Sequence, residues 1–273
     1  MKILKLIFDF YINASIHVAL AVFALLRITE VYFDLSYNQN LNYFIFFGTL
    51  TGYNFVKYSG VAKLHYKSLA NGLKVIQLFS FFSFVVLCYF AYQISWSTLI
   101  YAVPFSLLTF FYAVPFLSGF KKNLRQISFL KVIVVAAVWA GFTVLIPLID
   151  ANETINLNSI LFILQRFLLI VVLILPFDIR DLKYDDISLK TIPQKIGVEQ
   201  TKRFGIALMI FCLILEYLSD TPSTLQTSFM IFFFLLIISL MRAKINQPKY
   251  YSSFFVESLP IIWWLLILGF HNF

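Results

Sequence analysis

Residues 157–186 read LNSILFILQRFLLIVVLILPFDIRDLKYDD. Positions 157–177 are almost entirely apolar, and a helix of roughly 20 such residues crosses the core of a bilayer. An acidic stretch that begins at Asp178 follows without a break. We therefore predict a membrane-spanning helix over 157–178 whose end carries a group of carboxylates.

The composition of the whole chain agrees with a membrane protein. Of the 273 residues, 61% are hydrophobic and 12% are charged, whereas soluble domains are about half apolar and about a quarter charged. A soluble fold of this size lacks the interior to hide so much apolar surface. The composition therefore favours lipid as the solvent.

Nine apolar runs in the sequence are long enough to span a bilayer as helices. β-Barrel spans are about 10 residues long and alternate in polarity, whereas these runs are long and uniformly apolar. We predict an all-α integral membrane bundle in one domain, residues 1–273. The predicted helices lie at 12–33, 40–58, 73–94, 96–118, 127–149, 157–178, 204–219, 224–241 and 253–271.

The distribution of charge predicts an orientation for these spans. With the N-terminus placed in the cytoplasm, every Lys and Arg except Arg27 and Arg166 falls on the cytoplasmic side, as the positive-inside rule requires. The net charge of +8 thus reflects orientation in the membrane and not binding to nucleic acid. The outer loops carry acidic residues instead: Asp34, Asp150, Glu153 and Asp220.

The acidic stretch has a spacing that suits a helix. Asp178, Asp181 and Asp185 are separated by three and four positions, so on a helix they lie on one face. Carboxylates on one face repel one another unless a cation joins them, and Mg²⁺ is commonly shared between a few carboxylates and substrate phosphates. The same spacing also fits a polar cytoplasmic loop that Asp–Lys pairs keep solvated. By itself, the spacing leaves both interpretations open.

A family resemblance favours the metal site. The stretch DIRDLKYDDISLKTIPQKIG, residues 178–197, resembles the second aspartate-rich motif of the UbiA superfamily of intramembrane prenyltransferases. This chain is about one residue shorter between Asp185 and Thr191 and lacks the usual glycine there. The matching positions are Asp178, Asp181 and Asp185, followed by Thr191, Pro193 and Gly197.

Two further features extend the resemblance. Residues 111–131, FYAVPFLSGFKKNLRQISFLK, are similar to the Tyr-Pro-Lys stretch that follows the fourth helix in the family, with Tyr112, Lys121 and Lys122 in that neighbourhood. Nine spans with a cytoplasmic N-terminus, and hence a C-terminus outside, are the topology of the family. The resemblance implies a central cavity that opens toward the cytoplasm and sideways to lipid.

The first aspartate motif of the family is degenerate in this chain. In the stretch 52–62 Asn54 remains, but Phe55, Tyr58 and Ala62 stand where the family has acids, and Lys57 is added. One interpretation is that metal binds only at the second motif and lysines take over part of the phosphate binding. The other is that the protein binds a lipid diphosphate without cleaving it.

The resemblance implies transfer of a prenyl group from a prenyl diphosphate to an aromatic or other lipophilic acceptor, with help from Mg²⁺. Asp178, Asp181 and Asp185 are then the catalytic metal ligands. The expected diphosphate-binding residues are Asn54, Lys57, Tyr112, Lys121, Lys122 and Arg180.

Three alternatives stay open at this point. The first is an intramembrane terpene cyclase of the same fold, in which the prenyl cation is attacked by its own double bonds. The second is a catalytically silent membrane protein that binds a lipid or a diphosphate. The third is a small transporter, which the odd number of helices disfavours because two equal inverted halves need an even number.

Charged residues inside apolar runs are the last sequence signal, because they are costly in a bilayer and usually have a partner. Glu30 lies one helical turn from Arg27, so we expect a structural ion pair. Glu216 is a candidate partner for Arg166 from another helix. Glu257 opens the ninth run on the cytoplasmic side, where it borders the predicted cavity or is simply solvated.

Overall fold

The computed structural model describes residues 2–58, 71–114, 124, 130–185, 189–219 and 221–271. The regular elements in these ranges are all helices, and no strand occurs within them. The fold is therefore an all-helical membrane bundle, as predicted from the sequence.

Twelve α-helices and two short π-helical segments make up the described part of the chain. The π-helical segments are Gly141–Leu145, which joins α6 to α7, and Tyr251–Val256, which precedes α12. The α-helices are α1 Lys2–Asn13, α2 Ile16–Tyr32, α3 Gln39–Tyr58, α4 Asn71–Gln93, α5 Trp96–Ala113, α6 Leu130–Ala140, α7 Ile146–Asp150, α8 Leu157–Asp181, α9 Ile192–Ile196, α10 Val198–Leu218, α11 Ser223–Arg242 and α12 Leu259–His271.

The helices lie where the apolar runs predict them, but not all have the length and apolarity of a membrane span. Within the described residues, six segments meet both conditions, or seven if α1 and α2 together form one bent span. Helices α3 and α10, at the second and seventh predicted runs, are not among them. The count of nine spans and the orientation of the termini therefore stay predictions.

The first predicted helix, 12–33, is wrong as a single element. Helix α1 ends at Asn13 and α2 begins at Ile16, and their axes differ in direction by 54°. Between them Ser15 has a φ of 61° and a ψ of 21°, a left-handed conformation that interrupts a right-handed helix. The turn leaves the backbone carbonyl of Asn13 available to side chains from α3.

Helix α8 lies at the centre of the bundle. It packs against α6 on one side and α10 on the other, and both Arg166 and Asp178 on it are fully buried. Gly205 of α10 permits the close approach, since a Cβ there would lie 2.8 Å from Leu175 Cδ1 of α8. The outer helices α4 and α5, by contrast, expose mainly aromatic and aliphatic side chains, as contact with lipid requires.

The end of α8 is held by the segment that precedes α12. The backbone carbonyl of Pro176 accepts hydrogen bonds from Ser252 Oγ at 3.2 Å and from Gln247 Nε2 at 3.4 Å. Helix α8 continues to Asp181, three residues past its predicted end. Two of the three motif aspartates are therefore helical residues in a fixed position.

Candidate functional site

The three aspartates of the second motif, called the acidic cluster below, lie at one end of α8. Asp178 is fully buried in the last turns of the helix, and Asp181 is its final residue. The backbone N–H of Asp185 donates to the carbonyl of Asp181 at 2.8 Å, so the chain makes one more turn after the helix. The three carboxylates therefore lie close together.

Lys131 joins two of these carboxylates. This residue lies in the first turn of α6, and its Nζ is 2.8 Å from Asp178 Oδ1 and 3.7 Å from Asp185 Oδ2. A carboxylate as deeply buried as Asp178 needs a partner of opposite charge to stay ionised. The packing of α6 against α8 holds the ammonium group in this position.

Asp181 has a different partner. Its two oxygens accept hydrogen bonds from Arg180 Nε at 2.7 Å and from Arg180 Nη2 at 3.1 Å. The shared face predicted from the spacing therefore holds for Asp178 and Asp185, which meet at one lysine. Asp181 points to an arginine instead.

A second group of charges lies beside the acidic cluster. Lys57, at the end of α3, donates to the carbonyl of Asn13 at 3.1 Å. The carboxylate of Glu257, just before α12, interacts electrostatically with both Lys57 and Arg180. Two predicted phosphate-binding cations from distant parts of the sequence thus lie within electrostatic range of one acid, with no direct ion pair to it among the described residues.

Asn54 is buried one turn before Lys57. Its Nδ2 donates to the carbonyl of Ala14 at 3.0 Å and to Ser80 Oγ at 2.8 Å, while Oδ1 has no hydrogen-bond partner among the described residues. The amide hydrogens are therefore committed to the protein. The atom left over is an acceptor, which suits a cation and not a phosphate oxygen.

Aromatic side chains connect these groups. Trp139 Nε1 donates to Tyr53 Oη at 2.9 Å, and Tyr53 interacts electrostatically with Glu257 and with Tyr112. Tyr112, which is buried at the end of α5, also interacts electrostatically with Lys131. The predicted residue Tyr112 therefore lies within electrostatic range of the acidic cluster.

The tail of the second motif folds back onto the cluster. Thr191 begins the short helix α9, and its backbone N–H donates to Gln194 Oε1 at 2.9 Å. Gln194 Nε2 in turn contacts the carbonyl of Asp185 at 3.4 Å. Gly197 ends α9 with a φ of 79°, a conformation that favours glycine. Gln194, held by the N–H of Thr191, thus links this segment to Asp185.

Two predicted site residues, Lys121 and Lys122, lie outside the described residues, as does Ala62 of the degenerate first motif. Two residues of the charged region were not predicted as site residues, namely Lys131 and Glu257. Lys131 carried a usable signal, since it is a charge inside the predicted run 127–149.

A separate buried polar group occupies the other half of α8. Arg166 donates to the carbonyl of Leu25 at 2.7 Å and to Thr143 Oγ1 at 3.3 Å. Glu216 accepts hydrogen bonds from Tyr32 at 3.0 Å and Gln165 at 2.7 Å. Glu216, the candidate partner of Arg166, attracts it electrostatically, but within the described structure no ion-pair contact joins the two side chains.

The expected ion pair between Arg27 and Glu30 is confirmed. Asn42 Nδ2 also donates to Glu30 at 2.5 Å, so this arginine is tied to the packing of α2 on α3. Neither of the two intramembrane arginines is part of the charged end that carries the acidic cluster.

The oxygens at the acidic cluster fit one divalent ion. Oδ2 of Asp178 and Oδ2 of Asp185 are buried and make no hydrogen bond among the described residues. In the same ranges no three His, Cys, Asp or Glu side chains form a metal site. Mg²⁺ commonly uses one or two carboxylates and takes its other ligands from water and substrate phosphates, and this donor set permits that.

Comparison with known proteins identifies the fold. No family model matches the chain, and no curated protein matches it either. A UbiA homologue from Archaeoglobus fulgidus bound to GPP and Mg²⁺ superposes over 97% of this chain and 100% of its own, with a TM-score of 0.58 and 14% identity. This is the UbiA fold.

Two further structures support the same conclusion. The Archaeoglobus fulgidus UbiA homologue bound to DMAPP and Mg²⁺ matches with a TM-score of 0.59 and 12% identity, over 97% of this chain and 99% of its own. A digeranylgeranylglyceryl phosphate synthase covers both chains completely, with a TM-score of 0.58 and 17% identity. In this UbiA fold, α8 carries Asp178 and Asp181, and α3 carries Asn54 and Lys57.

Proposed function

We propose that this chain belongs to the UbiA superfamily and transfers a prenyl group from a prenyl diphosphate to an aromatic or other lipophilic acceptor. The observation that carries the proposal is the charged end of the bundle. There, a buried pair of carboxylates and the cations Lys57, Lys131 and Arg180 meet at the end of an apolar helix. Such a place suits a substrate with an anionic head and an apolar tail.

The neighbours in fold support this choice of substrate. The Archaeoglobus fulgidus homologue binds GPP or DMAPP together with Mg²⁺. We propose that Asp178 and Asp185 hold Mg²⁺ in this chain through their Oδ2 atoms, with Asp181 close by and Asn54 Oδ1 as a further acceptor. Asp178 Oδ2 has no hydrogen-bond partner among the described residues, and Asp185 Oδ2 would exchange its contact with Lys131 for the ion. The bound ion would neutralise charge that develops on the leaving diphosphate.

The cations of the site would act on the diphosphate directly. Lys57 and Arg180 are proposed to bind the phosphate oxygens, together with Tyr112, Lys121 and Lys122. As the bond between carbon and oxygen breaks, negative charge grows on the diphosphate, and groups already aimed at it stabilise that charge. Aromatic rings such as Tyr53 and Trp139 would stabilise the allylic cation that forms, which the acceptor then attacks.

The orientation is part of the proposal. The charge distribution favours a cytoplasmic N-terminus, which would put the charged end at the cytoplasmic surface. A central cavity open to that side would admit the diphosphate, while the prenyl tail lies between helices in contact with lipid.

A silent diphosphate-binding protein is the second candidate, and one observation favours it. Two of the positions where the first motif of the family has acids are used here for packing. The Phe55 ring stacks on Phe110 with centroids 6.1 Å apart, and Tyr58 Oη donates to the carbonyl of Asn13 at 2.8 Å. These side chains hold helices together and bind no metal.

Turnover of prenyl diphosphates separates the candidates. Purified full-length protein is incubated with Mg²⁺ and a panel of C10 to C20 prenyl diphosphates, with and without a membrane lipid extract as the source of acceptor. We expect pyrophosphate release in the wild type and its loss in Asp181→Asn. The matched control is Asp34→Asn, an exposed aspartate in the loop between α2 and α3, which should release pyrophosphate like the wild type.

The products complete the test. A prenylated acceptor supports transfer, whereas a cyclic hydrocarbon or alcohol indicates a terpene cyclase. Binding of a prenyl diphosphate without release of pyrophosphate from any donor indicates the silent protein and contradicts the proposed transferase.

A further inference from the structure

We infer that Lys131 is the resident cation of the acidic cluster and that a divalent ion binds this chain strongly only together with a diphosphate. This inference rests on the proposed function, because it assigns the site a diphosphate ligand. It concerns Lys131, which ends the stretch 111–131 but is not among the residues Tyr112, Lys121 and Lys122 that carry the resemblance there.

The contacts of Lys131 are those of a fixed group. Its side chain is 19% exposed, and its Nζ contacts carboxylates on either side, Asp178 at 2.8 Å and Asp185 at 3.7 Å. Lys131 also begins a helix that packs directly on α8. A loop lysine would sample solvent, whereas this one is placed between two carboxylates by the packing of two helices.

The charge balance of the site gives this contact a consequence. Asp181 is neutralised by Arg180, which leaves two carboxylates and one ammonium group, or one net negative charge. A divalent ion alone would turn that into one net positive charge, because Arg180 is already paired with Asp181 and the charge of Lys57 is offset by Glu257. A diphosphate supplies the anion that balances the ion, so the two ligands should bind cooperatively.

The degenerate first motif strengthens the argument. On the α3 side, Phe55 and Tyr58 carry no carboxylate that could bind a second ion. Their side chains are instead engaged in contacts with neighbouring residues. Lysine is a competent partner for phosphate as a point charge. When the diphosphate binds with its ion, the ammonium of Lys131 would exchange its carboxylate contacts for a phosphate oxygen.

The test measures metal binding and not turnover. Mn²⁺ is titrated into the purified full-length protein, and bound Mn²⁺ is followed by electron paramagnetic resonance, with and without inorganic pyrophosphate and against a protein-free reference of the same pyrophosphate content. Since coupling between two ligands of one protein is typically 5- to 150-fold, we expect pyrophosphate to raise the affinity of the wild type for Mn²⁺ roughly tenfold or more.

Three variants sharpen the measurement. Lys131→Met removes the resident cation. In the absence of pyrophosphate, this variant should therefore bind Mn²⁺ about tenfold more tightly than the wild type does. Lys131→Arg keeps the charge and should behave like the wild type. The matched control is Lys202→Met, because Lys202 is also a largely buried lysine in an ion pair, with Glu199 at 3.1 Å, but it lies outside the acidic cluster.

Two results overturn the inference. One is strong binding of Mn²⁺ to the wild type without pyrophosphate, which needs no variant and so holds even if Lys131→Met fails to fold. The other is a Lys131→Met protein that folds and binds Mn²⁺ no more tightly than the wild type. Neither depends on prenyl transfer, so a protein that couples the two ligands but releases no pyrophosphate would contradict only the proposed transferase.

Discussion

Lys131 and Asp178 are 47 positions apart in the sequence, yet their side chains form an ion pair of 2.8 Å at the end of the central helix. Asp178 is fully buried, and the lysine is largely so. The pair contributes both to the packing of α6 on α8 and to the candidate site. Its contribution to the free energy of unfolding can therefore be measured in variants of either residue.

Breaking this pair should destabilise the protein. Removing one partner of a buried ion pair leaves an uncompensated charge and costs about 3–5 kcal/mol. For Asp178→Asn we expect the free energy of unfolding to fall by about 3 kcal/mol, the lower end of this range, because Lys131 keeps its ion pair with Asp185 at 3.7 Å. The measurement is the free energy of unfolding in mixed micelles.

The double variant Lys131→Met with Asp178→Asn provides the control for this prediction. It leaves no unpaired charge from the pair, so it should lose less stability than the sum of the two single variants. Additive losses would show that the two side chains do not interact.

Glu257 should weaken the attraction of the site for anions, because its carboxylate acts on Lys57 and Arg180. Glu257→Gln removes the negative charge that acts on Lys57, whereas Arg180 keeps its pair with Asp181. At a pH high enough to ionise the buried Glu257 of the wild type, pyrophosphate should therefore bind about three- to tenfold more tightly to the variant. Lys57→Met removes one cation and should weaken binding by a similar factor. Isothermal titration with pyrophosphate at two ionic strengths measures both effects, which salt should reduce.

Lys244→Met is the control for general charge, because Lys244 is an exposed cation after α11. It should change pyrophosphate binding little. If Glu257→Gln and Lys57→Met shift the affinity in the same direction, the electrostatic description of this group is wrong.

Arg166 should matter for stability and not for the candidate site. It is fully buried and donates to Leu25, Thr143 and Thr29. Arg166→Met therefore removes these hydrogen bonds together with the positive charge that acts on the buried Glu216. We expect a loss of about 3 kcal/mol or more in the free energy of unfolding. Pyrophosphate affinity, measured by titration on the folded variant, should stay at the wild-type value.

Arg27→Met is the matched comparison for that variant. Arg27 is also an intramembrane arginine, but it is 22% exposed and pairs with a neighbour one turn away. Its removal should cost about 1 kcal/mol. Equal losses for the two arginines would contradict the role given to burial.

Substituting Asn54 should reduce the stability of the protein more than substituting its hydrogen-bond partner Ser80. Asn54→Leu deprives the Ala14 carbonyl of its donor, and an unsatisfied buried acceptor costs about 1–3 kcal/mol. Ser80→Ala removes only the second acceptor of the same amide group, so it should cost about 1 kcal/mol. Thermal unfolding of both variants measures their losses of stability. A greater loss in Ser80→Ala than in Asn54→Leu would contradict this prediction.

The sequence by itself determined the solvent and the secondary structure of this protein. Long uniformly apolar runs leave no other environment than a membrane and no other regular structure than helices. The position of the acidic cluster at the end of the sixth run followed from the same pattern, because Asp178 directly succeeds an apolar stretch.

Only the tertiary structure decided which charges meet. Sequence spacing relates residues on one helix, but Lys131 reaches Asp178, and Glu257 reaches Lys57, through the packing of separate helices. The bend at Ser15 could not be predicted either, because polar residues such as Asn13 and His17 beside it do not by themselves indicate a left-handed backbone conformation. Local patterns fix the helices, whereas the partners of each charge depend on how those helices pack.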